Sequence, residues 1–362
     1  MVVLLATIFI YRCNNVQKNE NFAPVKNYPK NISIKTIMLE KLELEPVESS
    51  YIGELFVKNG SIGFIDHMFC WVFLFDKDGM FIERHLGQGH RSNEITCGYI
   101  NGYACLNDGS FLFVGLNNNC YIYDNQFKTK GNIFINNSKN EKFKDYEQPS
   151  SYSLCYQNLI MKNYQKYLYY TIIPENENSA FIDSTKYFNN VHIIGKLNLK
   201  TGKTEKVLGN YPDVYMNDKS LEQLSFINFD IDSKGTFYLT FEADSLIYTF
   251  SKNFTPIKSF GYKGRDMNSL DNVDNAPFVQ SRKEGGRYSS IVYIDETNIL
   301  FRTYQKDSEK GGGLQIYKNS VLIGDLDVLD DFKILGYIYP YYYASCGIDE
   351  DDEKIILYKF KI

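Results

Sequence analysis

The stretch GELFVKNGSIGFIDHMFCWVFLFDKDGMFIERHLG, residues 53–87, decides the fold. Its apolar runs are separated by Asn59-Gly60 and by Lys77-Asp78-Gly79, which are strong β-hairpin turn signals. The stretch therefore predicts four antiparallel strands, which we name A to D in chain order. Their predicted positions are Gly53–Lys58, Ser61–Asp66, Trp71–Asp76 and Met80–Leu86.

Similar units follow to the C-terminus, but the last has only three predicted strands, Phe332–Tyr339, Tyr341–Cys346 and Lys354–Lys361. Near the other terminus Ile32–Leu44 alternates apolar and polar residues and belongs to no unit. A ring of sheets closes well when one terminus supplies the strand that the other lacks. We therefore predict an all-β, six-bladed β-propeller in which an N-terminal strand joins the C-terminal blade. A β-sandwich is the main rival fold, and it has no use for the repeat.

The composition fits a globular β protein. Hydrophobic residues make up 44% of the 362 residues and aromatic residues 16%, with Tyr and Phe far exceeding Trp. Tyr and Phe favour strands, so most of these rings are expected in the strand core. The net charge of -5 gives no reason to expect a nucleic acid partner, which would need a basic face.

The N-terminus MVVLLATIFIYRC has the features of an export signal. The apolar run Val2–Tyr11 is too short to span a bilayer but has the length of a secretory h-region. We predict that residues 1–22 are a lipoprotein-type signal and tether with Cys13 lipidated, and that residues 23–362 form the propeller. Tyr11 and Arg12 stand where such signals carry small residues. A signal without lipid, or a buried N-terminal strand, remains an alternative.

The segment FDKDGMFIERHLGQGHRSNEI, residues 75–95, resembles the blade signature of six-bladed propeller lipoproteins related to the TolB and NHL-repeat group. In that group strand D runs into a Gly-x-Gly-Pro-x-Glu turn. Gly87, Gly89 and Glu94 match it in kind, whereas His90-Arg91 replaces the proline. The group has no single established activity. The resemblance implies a propeller in a bacterial envelope, outside the cytoplasm and lipid-anchored.

In an antiparallel blade, successive connections between strands alternate between the two ends of the propeller. A–B and C–D turns lie at one end, and B–C and D–A connections lie at the other. Nearly all the extra length falls in the second set, which comprises Gly87–Gly98, Asn136–Ser151, Pro174–Asn190, Gly209–Leu224, Gly261–Arg287, Lys306–Gly313 and Gly347–Glu353. Long loops gathered at one end of a rigid scaffold are typical of a working surface. Neutral insertions would instead scatter over both ends.

Candidate binding residues come from these connections. The connection Gly261–Arg287 is rich in charge, and arginine suits bidentate recognition of carboxylate or phosphate, although a plain solvated loop is the alternative. His67 falls at the first B–C turn, and His90 falls in the first D–A loop. The predicted binding residues are His67, His90, Arg91, Arg265, Asp266, Arg282 and Arg287.

No catalytic residue, cofactor or metal site is predicted. The sequence contains no G-x-S-x-G, H-E-x-x-H or Walker motif. No C-x-x-C is present, so the cysteines other than Cys13 are expected to be buried thiols, with one disulfide as the alternative.

We therefore predict a secreted or lipid-anchored propeller that binds a protein, peptide or glycan through its long-loop face. The alternative is an enzyme, such as a polysaccharide lyase or hydrolase, with a site at the channel mouth, and a third option is a structural envelope component. Contact between His67, His90 and Arg282 or Arg287 would favour the enzyme. An apolar or aromatic patch at the same face would favour binding.

Overall fold

The chain forms a six-bladed β-propeller, as predicted. In the computed structural model the structure describes residues 21–96, 98–136, 149–175, 184–217, 219–267, 285–307, 310–348 and 353–362. Six antiparallel sheets follow one another along the chain, and within each sheet neighbouring strands are consecutive in sequence. The C-terminal sheet is the exception, because its outermost strand comes from the N-terminus.

The bounds of the strands are given blade by blade, from the innermost strand outward. Blade 1 consists of β2 (Gly53–Lys58), β3 (Ser61–Asp66), β4 (Trp71–Phe75) and β5 (Phe81–Leu86). Blade 2 consists of β6 (Ile100–Cys105), β7 (Phe111–Gly115), β8 (Asn119–Tyr123) and β9 (Thr129–Phe134). Blade 3 consists of β10 (Tyr152–Leu154) with β11 (Met161–Tyr164), then β12 (Tyr167–Pro174), β13 (Ile194–Asn198) and β14 (Lys203–Leu208).

The remaining blades follow the same order. Blade 4 consists of β15 (Ile227–Ile231), β16 (Phe237–Phe241), β17 (Ile247–Phe250) and β18 (Pro256–Phe260). Blade 5 consists of β19 (Arg287–Ile294), β20 (Ile299–Asp307), β21 (Gly311–Lys318) and β22 (Val321–Val328). Blade 6 consists of β23 (Lys333–Ile338), β24 (Tyr341–Ser345), β25 (Ile356–Phe360) and β1 (Glu40–Glu43).

Helices are confined to the connections. The described α-helices are α1 (Ser184–Asn190) and α2 (Val214–Asn217), and the single 3₁₀ turns include Leu116–Asn118 and Tyr156–Asn158. In the described ranges no helix has the length and apolar character needed to cross a membrane.

The hydrophobic core lies between the blades rather than inside a single layer. Each of six apolar clusters joins two neighbouring blades, and together they cover every seam of the ring, including the seam between blades 6 and 1. Strands such as β3 are therefore apolar on both faces, since each blade is covered on both sides. The seam between blades 4 and 5 has the smallest cluster, with six buried residues against eleven or more at the others.

The N-terminal segment closes the ring, but it is shorter as a strand than the sequence predicts. Of the predicted strand Ile32–Leu44, only β1 (Glu40–Glu43) pairs, antiparallel to β25. The residues before β1 run along the outermost strand of blade 5 and not along blade 6. Ile34 instead forms a parallel bridge with Gly324 on the outermost strand of blade 5.

The same segment also reaches blade 4. The amide of Lys26 donates to the carbonyl of Ser259 at 2.8 Å, and the Ser259 hydroxyl donates to the carbonyl of Ala23 at 2.7 Å. The ring of Phe22 packs 4.4 Å from that of Tyr248. Residues 21–44, which we call the N-terminal belt, thus lie against the outer edges of blades 4, 5 and 6 in turn.

Candidate functional site at the long-loop mouth of the channel

The strand order places the long connections at one end of the ring. Tight turns such as Asn59-Gly60 join A to B or C to D at the opposite end, which we call the short-turn end. The end that carries the B–C and D–A connections is called the long-loop end. Each innermost strand begins at the long-loop end and finishes at the short-turn end, so sequence position along it gives depth in the channel.

The innermost strands enclose a central cavity of about 510 Å³. All six blades contribute to its lining. A polar residue stands near the long-loop end of each innermost element, and we call this set the polar ring. Its members are Glu54, Asn101, Asn158, Asn228, Ser289 and Lys333. A cavity lined in this way offers hydrogen-bond donors and acceptors from every direction to a ligand entering the mouth.

Two of the four charged residues in this lining already have partners within the protein. The Lys58 ammonium donates to the carbonyl of Leu106 at 2.9 Å, and the Lys162 ammonium lies 2.8 Å from a carboxylate oxygen of Asp230. Glu54 and Lys333 make no ion pair among the described residues. The two unpaired charges of the polar ring therefore remain open to a ligand.

Glu54 and Lys333 lie at the same depth on neighbouring blades. The strands β2 and β23 run in the same direction, and a side-chain carbon added at Gly336 would lie 3.0 Å from Cβ of Val57. Counting three residues back from Val57 and from Gly336 reaches Glu54 and Lys333. Side chains alternate along a strand, so Glu54 lies on the opposite face of β2 from Val57, the face on which Phe56 packs against blade 2. Lys333 is exposed at the start of β23.

An insertion in blade 3 narrows the mouth. The sequence predicts one strand from Ser153 to Met161, but residues 155–160 leave the sheet between β10 and β11. Thr171 on β12 lies opposite this interruption and is buried. Its hydroxyl donates to the carbonyl of Asn158 at 2.5 Å and so holds the inserted residues against the sheet. The Asn158 amide group in turn donates to the carbonyl of Ile227 on blade 4 at 2.6 Å. This places Asn158 in the polar ring.

His67 lies at the long-loop end, in the first B–C turn as predicted, but outside the lining of the cavity. Its turn is organised by Asp66, which is fully buried and accepts hydrogen bonds from the amides of Met68 and Phe69 at 2.9 and 2.8 Å. Burial lowers the pKa of His67, and the nearby Glu54 and Asp66 carboxylates partly oppose this shift. The imidazole therefore stays neutral at neutral pH.

His90 and Arg91 belong to a local turn rather than to the channel. The Glu94 carboxylate accepts from the amide of Arg91 at 2.9 Å and lies against Gly89, where an added Cβ would be 1.9 Å from a carboxylate oxygen. The Gly-x-Gly and glutamate of this segment thus build a compact loop. Arg91 is 85% exposed, and His90 is exposed beside it.

Arg265 and Asp266 lie over the outer part of blade 5. The Arg265 guanidinium pairs with Asp327 on outermost strand β22, and its amide donates to the hydroxyl of Tyr304 at 2.9 Å. Asp266 is a neighbour of Arg265 in the same turn, with its carboxylate 3.8 Å away. The start of the connection Gly261–Arg287 is therefore tied down rather than simply solvated.

A buried arginine holds the base of that connection. Arg302 on β20 has no exposed surface, and its guanidinium donates to the carbonyls of Ser245 and Tyr262 at 2.9 and 2.8 Å and to the side chain of Gln315 at 3.0 and 2.5 Å. It also lies 3.9 Å from the ring centroid of Tyr288. Both carbonyls belong to long-loop connections of blade 4. Arg302 thus fixes these connections to blade 5.

The predicted residues are not brought together as a catalytic cluster. His67 and His90 make no hydrogen bond or ring contact with each other in the described part of the chain, and Arg287 is the first residue of β19, opposite Gln305. Arg282 and Cys13 lie outside the described residues. Within those described residues no group of His, Cys, Asp and Glu is placed to hold a metal ion.

Exposed apolar side chains gather at the long-loop end of blades 1 to 3. This set, which we call the apolar rim, consists of Ile52, Met68, Phe69, Leu116, Tyr156 and Ile173, each between 37 and 46% exposed. Phe69 stacks on Trp71 with ring centroids 4.8 Å apart. The hydroxyl of Tyr156 bonds to Asn118, which joins blade 3 to the turn of Leu116. Exposed apolar side chains therefore lie at the same end of the ring as the polar ring.

The sequence prediction named none of the polar ring. A signal was nevertheless available, because the A strands of several units carry a polar residue near their start, as in Gly53-Glu54, Ile100-Asn101 and Ile227-Asn228. Superposing the units position by position would have exposed it. Asn158 could not have been predicted in this way. It lies in an insertion, and the sequence pattern there looks like one continuous strand.

Comparison with known proteins supports the fold. No family model matches the chain, and no curated protein matches it. A member of the DUF4221 family from Bacteroides vulgatus superposes with a TM-score of 0.68 at 13% identity, over 90% of this chain and 98% of that one. A candidate exported protein from Bacteroides fragilis superposes with a TM-score of 0.53, also at 13% identity, over 91% of this chain and 97% of that one. At such identity the likeness concerns architecture alone.

Proposed function

We propose that this chain is an extracytoplasmic binding propeller, held to a bacterial envelope through Cys13, that recognises a protein, peptide or glycan at its long-loop end. The observation that carries the proposal is the apolar rim set beside the polar ring at the mouth of the channel. Exposed apolar side chains rimmed by polar groups are typical of interaction sites. The likeness of fold to a candidate exported Bacteroides protein supports the location. Neither of the two Bacteroides proteins compared above is described as a member of the TolB and NHL-repeat group that the segment at residues 75–95 resembles.

The apolar rim provides the test of the binding surface. We expect the pair Met68→Ser and Phe69→Ser to abolish capture of the partner from the envelope fraction or of glycans on an array. The matched control is Met80→Ser with Tyr339→Ser, because these side chains are 57 and 82% exposed but lie at the short-turn end. Circular dichroism should show both variants folded. Equal capture by the two variants would remove the rim from the proposal.

The anchor is tested at Cys13. We expect the full chain to incorporate a labelled fatty acid and to sediment with membranes, and Cys13→Ser to lose both properties while still leaving the cytoplasm. Labelling that persists in Cys13→Ser, or sedimentation that is unchanged by it, would contradict a lipid at this residue. The propeller itself serves as the internal control, since its melting temperature should be the same in both proteins.

A further inference from the structure

The outer edge of blade 4 carries the start of the N-terminal belt together with a group of lysines and aromatic rings. We propose that this surface, which we call the basic edge, docks on the anionic headgroups of the membrane in which Cys13 is anchored. This inference rests on the lipid anchor of the proposed function and adds a protein surface that faces the bilayer. The basic edge consists of Lys26, Tyr28, Lys30, Lys258 and Tyr262.

Contacts join the members of the basic edge into one surface. The Lys258 ammonium lies 5.9 Å from the ring centroid of Tyr28 and 5.5 Å from that of Phe260. The Lys30 ammonium lies 4.5 Å from the ring centroid of Tyr262, whose hydroxyl donates to the carbonyl of Tyr28. These cation–π contacts hold the ammonium groups in place without neutralising their charge.

The charges gathered at this edge are all positive. Lys26 and Lys30 are exposed, and Lys258 is half-buried. None of the three forms an ion pair with a carboxylate among the described residues. Burial lowers the pKa of Lys258, and the charge of Lys26 lowers it further. Like charges held together in this way favour a partner that brings several negative charges at once.

The position of the belt brings this edge close to the anchor. Residues 14–20 alone separate Cys13 from Asn21, and such a link spans at most roughly 30 Å. The ring of Phe22 packs 4.4 Å from that of Tyr248, so the belt begins on blade 4. A lipid at Cys13 therefore holds blade 4 near the bilayer, where a basic surface and a lipid reinforce each other.

Apolar side chains beside the lysines favour a bilayer over a soluble anion. Val25 and Ile257 are 54 and 47% exposed, and Val25 bridges Ser259, two residues from Ile257. Apolar side chains beside basic ones suit the boundary between headgroups and acyl chains. The net charge of the chain is -5, so an anionic bilayer repels the molecule on average and selects its basic edge. The apolar rim, on blades 1 to 3, stays accessible in this orientation.

The test compares vesicles of phosphatidylcholine alone with vesicles that also contain phosphatidylglycerol. The full chain with Cys13→Ser is used, so that no lipid on the protein contributes. We expect it to bind the anionic vesicles at least about tenfold more tightly than the neutral ones. Lys26→Gln with Lys30→Gln should weaken binding to the anionic vesicles by roughly 25-fold, about fivefold for each lysine.

The matched control is Lys77→Gln with Lys128→Gln, which removes the same charge from exposed lysines of blades 1 and 2. It should leave the binding unchanged. The chain before residue 26 is common to all these proteins, so its own affinity for lipid does not enter the comparison. Equal melting temperatures will show that both variants are folded.

A second measurement uses the lipid-anchored full chain on the same vesicles. We expect acetylation of Lys26 and Lys30 by a water-soluble reagent to be at least about threefold slower on anionic than on neutral vesicles. Lys128 should react at the same rate on both. Salt at about 1 M, where the Debye length is about 3 Å, should remove the protection.

Several outcomes would overturn this inference. They are equal binding to the two kinds of vesicle, binding that survives Lys26→Gln with Lys30→Gln, an equal loss in the control, or capture of a soluble protein by the same lysines without any preference for anionic lipid. A fatty acid label on Cys13 would, in that case, leave the anchor standing. A preference for anionic vesicles without such a label would instead keep the basic edge and remove the anchor.

Discussion

Replacing Arg302 with methionine is expected to lower the free energy of unfolding by about 4 kcal/mol. The guanidinium is fully buried, and it donates to the carbonyls of Ser245 and Tyr262 and to the Gln315 side chain. Methionine has a comparable length but no donor, so all the charge-assisted hydrogen bonds of Arg302 are lost and the Ser245 carbonyl loses its arginine donor. The Tyr262 carbonyl keeps its bonds from Tyr288 and Gln315, and the Gln315 side chain keeps its bond from Tyr317. Each unsatisfied buried group costs roughly 1–3 kcal/mol.

Denaturant unfolding and thermal melting measure this effect, with an expected fall in Tm of roughly 8 °C. Arg84→Met is the matched control, because Arg84 is exposed and lies 4.3 Å from the ring of Trp71, an arrangement worth only about 0.5–1 kcal/mol. Arg302→Lys should fall between the two, since an ammonium keeps the charge but cannot reproduce the planar set of donors. A stability of Arg302→Met equal to that of Arg84→Met would contradict the role assigned to the buried guanidinium.

Removing the N-terminal belt is expected to destabilise the propeller by about 5 kcal/mol or more. A chain that starts at Glu45 loses β1 with its Leu42 and also the following Leu44, which are only 8 and 2% exposed in the cluster between blades 6 and 1. It also exposes the edge of β25, which is open to pairing with other chains. Since domains have only about 5–15 kcal/mol in total, we expect partial unfolding and aggregation.

Size-exclusion chromatography and melting of this shortened chain provide the measurement. A chain that starts at Lys35 keeps β1 but loses Phe22 and the contacts with blade 4, so we expect a smaller loss, about 2–3 kcal/mol. A synthetic peptide of residues 21–44 should restore the melting temperature of the shortest chain. The same peptide with Leu42→Asp and Leu44→Asp should not. An unaltered melting temperature in the chain that starts at Glu45 would show that closure does not depend on the belt.

Most of the architecture could be read from the sequence because hairpin turns and apolar alternation are local signals. The four strands of blade 1 were predicted within one or two residues of their observed bounds. The strand predicted for Ile32–Leu44 was too long because its first residues have the same alternation but lie against β22, without a ladder of their own. A local pattern cannot tell which of two sheet edges a terminal segment will follow.

The candidate site was harder to predict than the fold. The sequence prediction favoured residues of charged loops. His67 does lie at the long-loop end, in its predicted turn, whereas Arg265 pairs with Asp327 and holds a loop against blade 5. The residues that face the channel are single polar positions within strands, and their convergence depends on the ring. No spacing along the chain reveals that Glu54, Asn101 and Lys333 line one cavity.

The route of the belt has a consequence for the order of assembly. The N-terminal belt has its docking sites on Ser259, Ile323 and Lys359, which the ribosome produces much later than the belt itself. The N-terminal belt therefore cannot complete its contacts until almost the whole polypeptide has been synthesised. The seam between blades 4 and 5, which has the smallest apolar cluster, is bridged by this segment only after both Ser259 and Ile323 exist. Contacts of such long sequence separation fold slowly, so a late locking step should set the refolding rate.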